Sequence, residues 1–135
     1  MLVQAYLSFE GRCEEALEFY ASALGARVEM MMRFKESPDR NMTSPPGTEH
    51  KILHAAFHVG DTTLMASDGR CSGKPTFQGI SLALTVPDVA AADRRFAALA
   101  DGGQVLQPLT QTFFSPRFGV VADRFGVTWM VLVAQ

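Results

Sequence analysis

Charge is scarce and nearly balanced in these 135 residues, where 12 Lys and Arg stand against 14 Asp and Glu for a net charge of -2. No basic run occurs, and that removes the electrostatic footprint that nucleic-acid binding needs. Cysteine is nearly absent. Cys13 and Cys71 are too few for a disulfide framework and are expected to stay reduced, which points to a cytoplasmic protein. No apolar run approaches the ~20 residues that cross a bilayer. The first residues show no charged stretch followed by an apolar one, so no secretion leader is expected. Neither a membrane nor nucleic acid is expected among the partners.

What is abundant is apolar side chain. The chain is 47% hydrophobic and 19% charged, with a mean hydropathy of +0.08, the make-up of one ordinary domain with a real core. One pattern is written twice. Residues 4–28 read QAYLSFEGRCEEALEFYASALGARV and residues 81–105 read SLALTVPDVAAADRRFAALADGGQV. Each copy opens with an alternating strand, turns at Gly11 or at Pro87-Asp88, and continues into an amphipathic helix bearing an aromatic residue. Each helix ends at glycine and a new strand begins, so one β-α-β unit is duplicated.

Taken in order, residues 3–9 alternate, with Ala5, Leu7 and Phe9 on one face and Gln4, Tyr6 and Ser8 on the other. Residues 12–24 have helical spacing, with Cys13, Ala16, Leu17, Tyr20 and Leu24 as the buried stripe and Gly25 as the stop. In the strand 27–34, strict alternation puts Val28, Met30, Met32 and Phe34 together and Met31 opposite. A loop at 37–50, rich in proline, follows and is expected to be mobile or to lie over a site. Strand 51–59 carries His54, Ala56 and His58 on one face, Gly60-Asp61 marks a hairpin, and 62–67 is the fourth strand. The second half repeats the order: strand 80–86, helix 88–100 capped by Asp88, a strand from 104 marked as an edge or bulge by Pro108, strand 117–122, and strand 127–134. Val89, Ala92, Phe96 and Leu99 form the expected buried stripe of that helix. The expected fold is α+β, two βαβββ modules at 1–70 and 75–135 with mixed sheets forming a trough or open barrel, helices outside.

The paired layout, the EALEFYASALGA helix and the DRFGVTWM ending resemble the vicinal oxygen chelate superfamily of glyoxalase I, bleomycin- and fosfomycin-resistance proteins and extradiol dioxygenases. YLSFEGRCEEALEFY, MASDG and FGVVADRFGVTWMV are similar to its PhnB-like branch, whose members are often labelled 3-demethylubiquinone-9 3-methyltransferase-like. The sequence has no glycine-rich loop after a first strand and no parallel βαβ series, so its residues give a methyltransferase activity no support.

The resemblance implies a divalent metal held on concave sheet faces, acting as a Lewis acid or activating oxygen. The matching positions depart from the usual donors. Gln4 (or Ala5) stands where many members have His, Leu64 or Met65 falls at another position, Ser81 opens the second module, and Met130 replaces a Glu. Hydroxyl and thioether groups make a poor hard-cation or zinc site. No metal cofactor is therefore expected, with a divalent metal on Gln4 and His54 as the alternative. His54 and His58 share a face, but residues four apart on a strand lie roughly 13 Å apart at the backbone and do not easily chelate one ion. They read either as hydrogen-bonded polar residues of a wet cavity or interface, or, for His54, as a metal ligand or general base.

Other candidates carry two readings each. Met30 to Met32 suggest a soft-metal site, yet at strand spacing Met30 and Met32 read as core. Phe113 and Phe114 with Phe118 form an aromatic lip or a hairpin packed on a partner. Arg33 and Arg117 are cavity cations or solvated charges, and Trp129 belongs to the core under helix 88–100. The expected ligand-binding residues are Gln4, Tyr6, His54, His58, Ser81, Phe114 and Met130, around a small hydrophobic or aromatic molecule. A homodimer is expected. Two functions follow: a lyase or dioxygenase with a non-standard metal set, or a non-enzymatic resistance-type protein that sequesters its ligand without metal.

Overall fold

The computed structural model describes residues 1–39 and 41–135, so one position of the loop 37–50 lies outside the described residues. The chain divides into two compact units, Met1–Pro75 and Thr76–Gln135. Each holds one α-helix and a four-stranded mixed sheet, in the order βαβββ, with a short 3-10 turn at Phe34–Glu36 in the first, so the α+β architecture of two modules expected from the repeat is what forms.

In the first unit the strands are β1 (Tyr6–Ser8), β2 (Arg27–Arg33), β3 (Ile52–Val59) and β4 (Thr62–Ser67), with helix α1 (Cys13–Leu24) after β1. The sheet order is β1-β4-β3-β2, with β1 parallel to β4 and the other pairs antiparallel. β1 is shorter than the alternation at 3–9 suggests. Its pairing is extended on either side by single bonds, Met65 N–H to Ala5 O at 3.0 Å and Phe9 N–H to Ser67 O at 2.8 Å. Cys13, Ala16, Leu17, Tyr20, Ala23 and Leu24 are the buried side of α1. Tyr20 stacks on Phe57 of β3 with ring centroids 6.1 Å apart and planes 9° from parallel. Gly25 ends the helix in the left-handed region, φ 68°, which a side chain adopts only at a cost.

The start of α1 is held from the far end of the unit. No side chain at position 12 caps it. Instead Asp68, 1% exposed after β4, accepts from the backbone N–H of Gly11 (2.9 Å) and Cys13 (2.7 Å) through Oδ1 and from Ile52 N–H (2.7 Å) through Oδ2. One carboxylate thus ties the helix start to the start of β3, answering donors that helix geometry leaves unpaired.

Strict alternation fails in β2. Val28 lies opposite Phe57, but Met30, not Glu29, lies opposite Ala56, so Glu29 is the extra residue of a β-bulge. Beyond it Met31 pairs with Ala55 and Met32 with His54. Ala55 and Phe57 are fully buried beneath α1, whereas His54 and Ala56 belong to the other face. The expected core role of Met30 and Met32 is therefore overturned: the bulge turns both to the face without the helix and Met31 toward it. Met30 is 37% exposed.

In the second unit the strands are β5 (Ser81–Val86), β6 (Gln104–Thr110), β7 (Phe118–Ala122) and β8 (Thr128–Val133), with α2 (Val89–Ala100) after β5 and the order β5-β8-β7-β6. Asp88 caps α2, accepting from Ala91 N–H at 2.8 Å. Ala91, Ala92, Phe96 and Leu99 are buried. Val89, expected in that stripe, sits in the first turn and stays 37% exposed. Pro108 lies in the edge strand β6, whose pairing with β7 shifts register on both sides of Gln107. Gly119 lets α2 approach closely, because a Cβ there would stand 2.8 Å from Phe96. Trp129 is buried, as its alternation requires, and its indole N–H donates to Asp123 at 2.9 Å.

Candidate functional site

Each unit has one sheet face under its helix and one without a helix. On the uncovered face of the first sheet, pairing sets three rows side by side. One runs Tyr6, Met65, Ala56, Met30 across β1, β4, β3 and β2. In the next, Ser8 pairs with Ser67 and His54 with Met32, and in a third His58 pairs with Thr63 and Arg27. Side chains on one face of paired strands are near neighbours, so these positions form one surface.

Two of the expected ligand-binding residues meet there. The Tyr6 hydroxyl and His54 Nδ1 are 2.9 Å apart and their rings 5.6 Å between centroids. Tyr6 is 50% exposed and His54 is half-buried. Among the described residues Tyr6 is the hydrogen-bond partner of the His54 ring, so Nε2 is left unengaged. His58 is held apart from this pair. Its Nδ1 lies 3.0 Å from Thr63 Oγ1 and its Nε2 3.5 Å from Glu29, the bulge residue. Gln4 is half-buried and its amide donates to Thr63 O at 3.4 Å.

The second sheet's uncovered face is less polar. Ser81 lies opposite Thr128, and Met130 sits between Ala83 and Val120. Phe118 lies opposite Leu132, and Phe114 packs edge-on against Phe118 at 5.0 Å. Phe113 in turn packs edge-on against Phe114 at 5.1 Å and is 95% exposed.

The two arginines expected as cavity cations are engaged elsewhere. Arg33 grips Glu14 of α1 through both guanidinium ends, at 2.8 and 3.0 Å, and donates to His50 O at 2.7 Å. That bond holds the Glu14 carboxyl below its ordinary range. Arg117 pairs with Asp93 of α2 at 3.0 Å. Both contacts lie toward the helices because each helix presents a carboxylate within reach of a strand end. The described residues include one cleft of about 270 Å³, also beside α1, lined by Gly11, Glu14, Glu15, Glu18, His50, Lys51, Ile52 and Asp68. Cys13 is buried and its thiol pKa is pushed up by that burial, which removes it as a nucleophile at neutral pH.

The donors do not fit a hard divalent ion. The described residues hold no group of three or more His, Cys, Asp and Glu placed to bind one. At the positions the resemblance points to, Gln4 uses its amide on a backbone carbonyl, Ser81 is an exposed hydroxyl, and Met65 and Met130 offer thioethers.

Sequence reasoning missed Asp68, Asp123 and Ser115, the buried polar groups that hold the loops. Asp123 accepts from Phe125 N–H, Val127 N–H and Trp129. Ser115 has both Arg117 O and Val133 O 2.8 Å from its hydroxyl, which has one proton to donate between them, and it accepts from Val133 N–H. The Asp-x-x-Gly turn at 123–126 was a visible signal for the second; nothing local marked the other two.

Comparison with known proteins places this geometry. A family model described as 3-demethylubiquinone-9 3-methyltransferase matches residues 2–132. Protein YjdN of Escherichia coli (strain K12) is 34% identical over 142 residues, covering 100% of this chain and 97% of that protein. The crystal structure of PA1353 from Pseudomonas aeruginosa is 40% identical with a TM-score of 0.86, covering 100% of this chain and 98% of its own. The PhnB protein of Bacillus cereus is 32% identical with a TM-score of 0.82, covering 99% and 100%. A glyoxalase-related enzyme from Fulvimarina pelagi shares the fold at 18% identity, with a TM-score of 0.60 and coverage of 98% and 87%.

Proposed function

Because the chain belongs to the 3-demethylubiquinone-9 3-methyltransferase family, the PhnB-like branch of the glyoxalase superfamily, we propose that it binds a small aromatic or hydrophobic molecule on the uncovered face of its first sheet. The Tyr6–His54 pair carries the proposal. It is a pair of polar groups set among Met30, Met32, Met65 and Ala56, and an apolar wall with few convergent polar groups is the usual make-up of a small-molecule site. Thioethers adapt to flat rings and make favourable sulfur–aromatic contacts. His54 Nε2 is the group left to meet a hydroxyl or carbonyl of the ligand, while Tyr6 fixes the imidazole plane. The second unit, taken by itself, offers Phe114 backed by Phe118, with Ser81 and Met130 on its own uncovered face, as a second surface for a ring compound.

The family's name does not make it a methyltransferase. The parallel strand pairs here are β1–β4 and β5–β8, one in each sheet, not a parallel βαβ series with a phosphate-type loop. Sequestration without chemistry, in a cytoplasmic homodimer, is the reading favoured by the poor donor set. Exposed apolar residues that a second copy would cover include Leu2, Val3 and Ile80, at 78%, 91% and 67%. A second reading, an enzyme of lyase or dioxygenase type, is favoured by one observation: the oriented imidazole with an unengaged nitrogen can also move a proton.

A thermal-shift screen of uncharged and weakly anionic ring compounds tests the proposal. Stabilisation by such a compound, reduced in His54→Ala, supports it. Stabilisers whose effect is the same in His54→Ala would move the site elsewhere. Turnover of the bound compound, lost in His54→Ala, decides for the enzyme.

A further inference from the structure

The bulge at Glu29 brings together what sequence alternation keeps apart. Met30 and Met65 stand on either side of Ala56 in one row, and Met32 stands opposite His54 in the next. Adjacent strands lie about 4.8 Å apart. Met30 and Met65, two strands apart, are therefore separated by roughly 10 Å at the backbone, a gap that two unbranched thioether side chains span from both sides. Ala56 between them contributes only a methyl group, leaving the space above it for what the sulfurs hold. His54 is diagonal to both methionines, within reach of long side chains on one face.

The imidazole is already oriented. In the tautomer whose Nδ1–H donates to the Tyr6 oxygen, the lone pair of Nε2 is free to bind. We propose that Met30, Met32, Met65 and His54 form a site for a soft monovalent metal ion, Cu(I), above Ala56. Thioether and imidazole donors suit that ion, and all four are neutral. A single positive charge among neutral donors costs far less to desolvate than a divalent one, so the same chemistry that disfavours a hard divalent ion favours this one. The exposure of Met30 leaves an entry path. The site shares His54 and the three methionines with the face proposed for the organic ligand, but its test uses no organic ligand and a ligand screen uses no copper, so the failure of one reading is distinguishable from the failure of the other.

The test is an anaerobic titration of the full chain with Cu(I) against bicinchoninate as competing chelator. One equivalent is expected to leave the chelator for the protein. Met30→Leu, Met65→Leu and His54→Ala are each expected to weaken the competition at least tenfold, while Met31→Leu, on the helix side, competes like the unaltered chain. Met-to-Leu changes nearly conserve volume, so folding is kept. With Ag(I) as a redox-stable substitute, the methyl signals of Met30, Met32 and Met65 should shift and those of Met31 and Met130 should not. No copper withdrawn from the chelator, or Met31→Leu as damaging as Met30→Leu, would overturn the site.

Discussion

Replacing Asp68 should cost more stability than replacing any other polar residue in the first unit. Its carboxylate accepts from Gly11, Cys13 and Ile52 N–H, and it is 1% exposed. In Asp68→Ala the N–H groups of Cys13 and Ile52 are left buried without acceptors, at about 1–3 kcal/mol each. Gly11 N–H is only partly buried and recovers some of its loss from water. The expected total is about 3–6 kcal/mol, against the ~5–15 kcal/mol that keeps a domain of this size folded. Asp68→Asn separates the contributions. If its remaining oxygen stays on Gly11 and Cys13, its NH2 group confronts Ile52 N–H, one orphan instead of three, for about 2–3 kcal/mol. Urea denaturation should therefore rank the unaltered chain above Asn and Asn above Ala. Amide exchange should speed up at both Cys13 and Ile52, since one carboxylate serves both segments. Loss of less than ~1 kcal/mol in Asp68→Ala, or faster exchange at only one of the two segments, would refute the claim that this residue couples α1 to β3.

His54→Ala should weaken a ring ligand found by the thermal-shift screen by about 1–2 kcal/mol, measured by calorimetry, as for one lost hydrogen bond. Trp129→Ala should instead destabilise the fold by about 3–5 kcal/mol in urea titration, as a lost core aromatic that also leaves Asp123 without its indole donor; the opposite outcome for the pair would mean that the two sheet faces are reversed. Glu14 has its pKa lowered by Arg33, so its contribution is present above its ordinary value of 4.5 and is lost as pH falls through the depressed folded value. Glu14→Gln should accordingly flatten the acid limb of a stability-against-pH curve below about pH 4.5 and leave its shape near pH 7 unchanged. Light scattering at micromolar concentration should give twice the 14.7 kDa chain mass, and a monomer mass would remove the homodimer.

The elements that could be read from the sequence are those whose cause is local. Both helices follow from apolar spacing within 12 residues and from stops or caps next to them, Gly25 for α1 and Asp88 for α2. The hairpin at Gly60-Asp61 and the edge position of Pro108 likewise follow from the chemistry of one or two residues. What could not be read is held from a distance. The start of α1 depends on a carboxylate 55 residues from Cys13, and no local pattern announces that a helix lacking its own capping side chain will be served by a loop after the fourth strand. β1 reads longer than it is because alternation reports which way side chains point, not whether a neighbouring strand is there to pair.

The site was half legible for the same reason. Alternation puts Tyr6 and His54 each on the side away from its helix-covered neighbours, and both are found there. Their meeting depends on the order β1-β4-β3, in which the tyrosine reaches across β4 to a histidine 48 residues on. The methionines show the limit of alternation more sharply. A period of two carries one bit per residue, the face, and a single inserted residue inverts that bit for everything after it. Glu29 is that residue, and nothing in its chemistry marks it, since an exposed glutamate fits an edge strand equally well without a bulge. Its consequence is chemical as well as geometric. Without the bulge Met30 and Met32 would join the helix-side core and Met31 would face outward; with it, two thioethers stand beside His54 and the third, paired with Ala55, takes the helix side. The composition of the uncovered face therefore turns on one backbone irregularity at a sheet edge, where, among the described residues, no strand beyond β2 constrains the register.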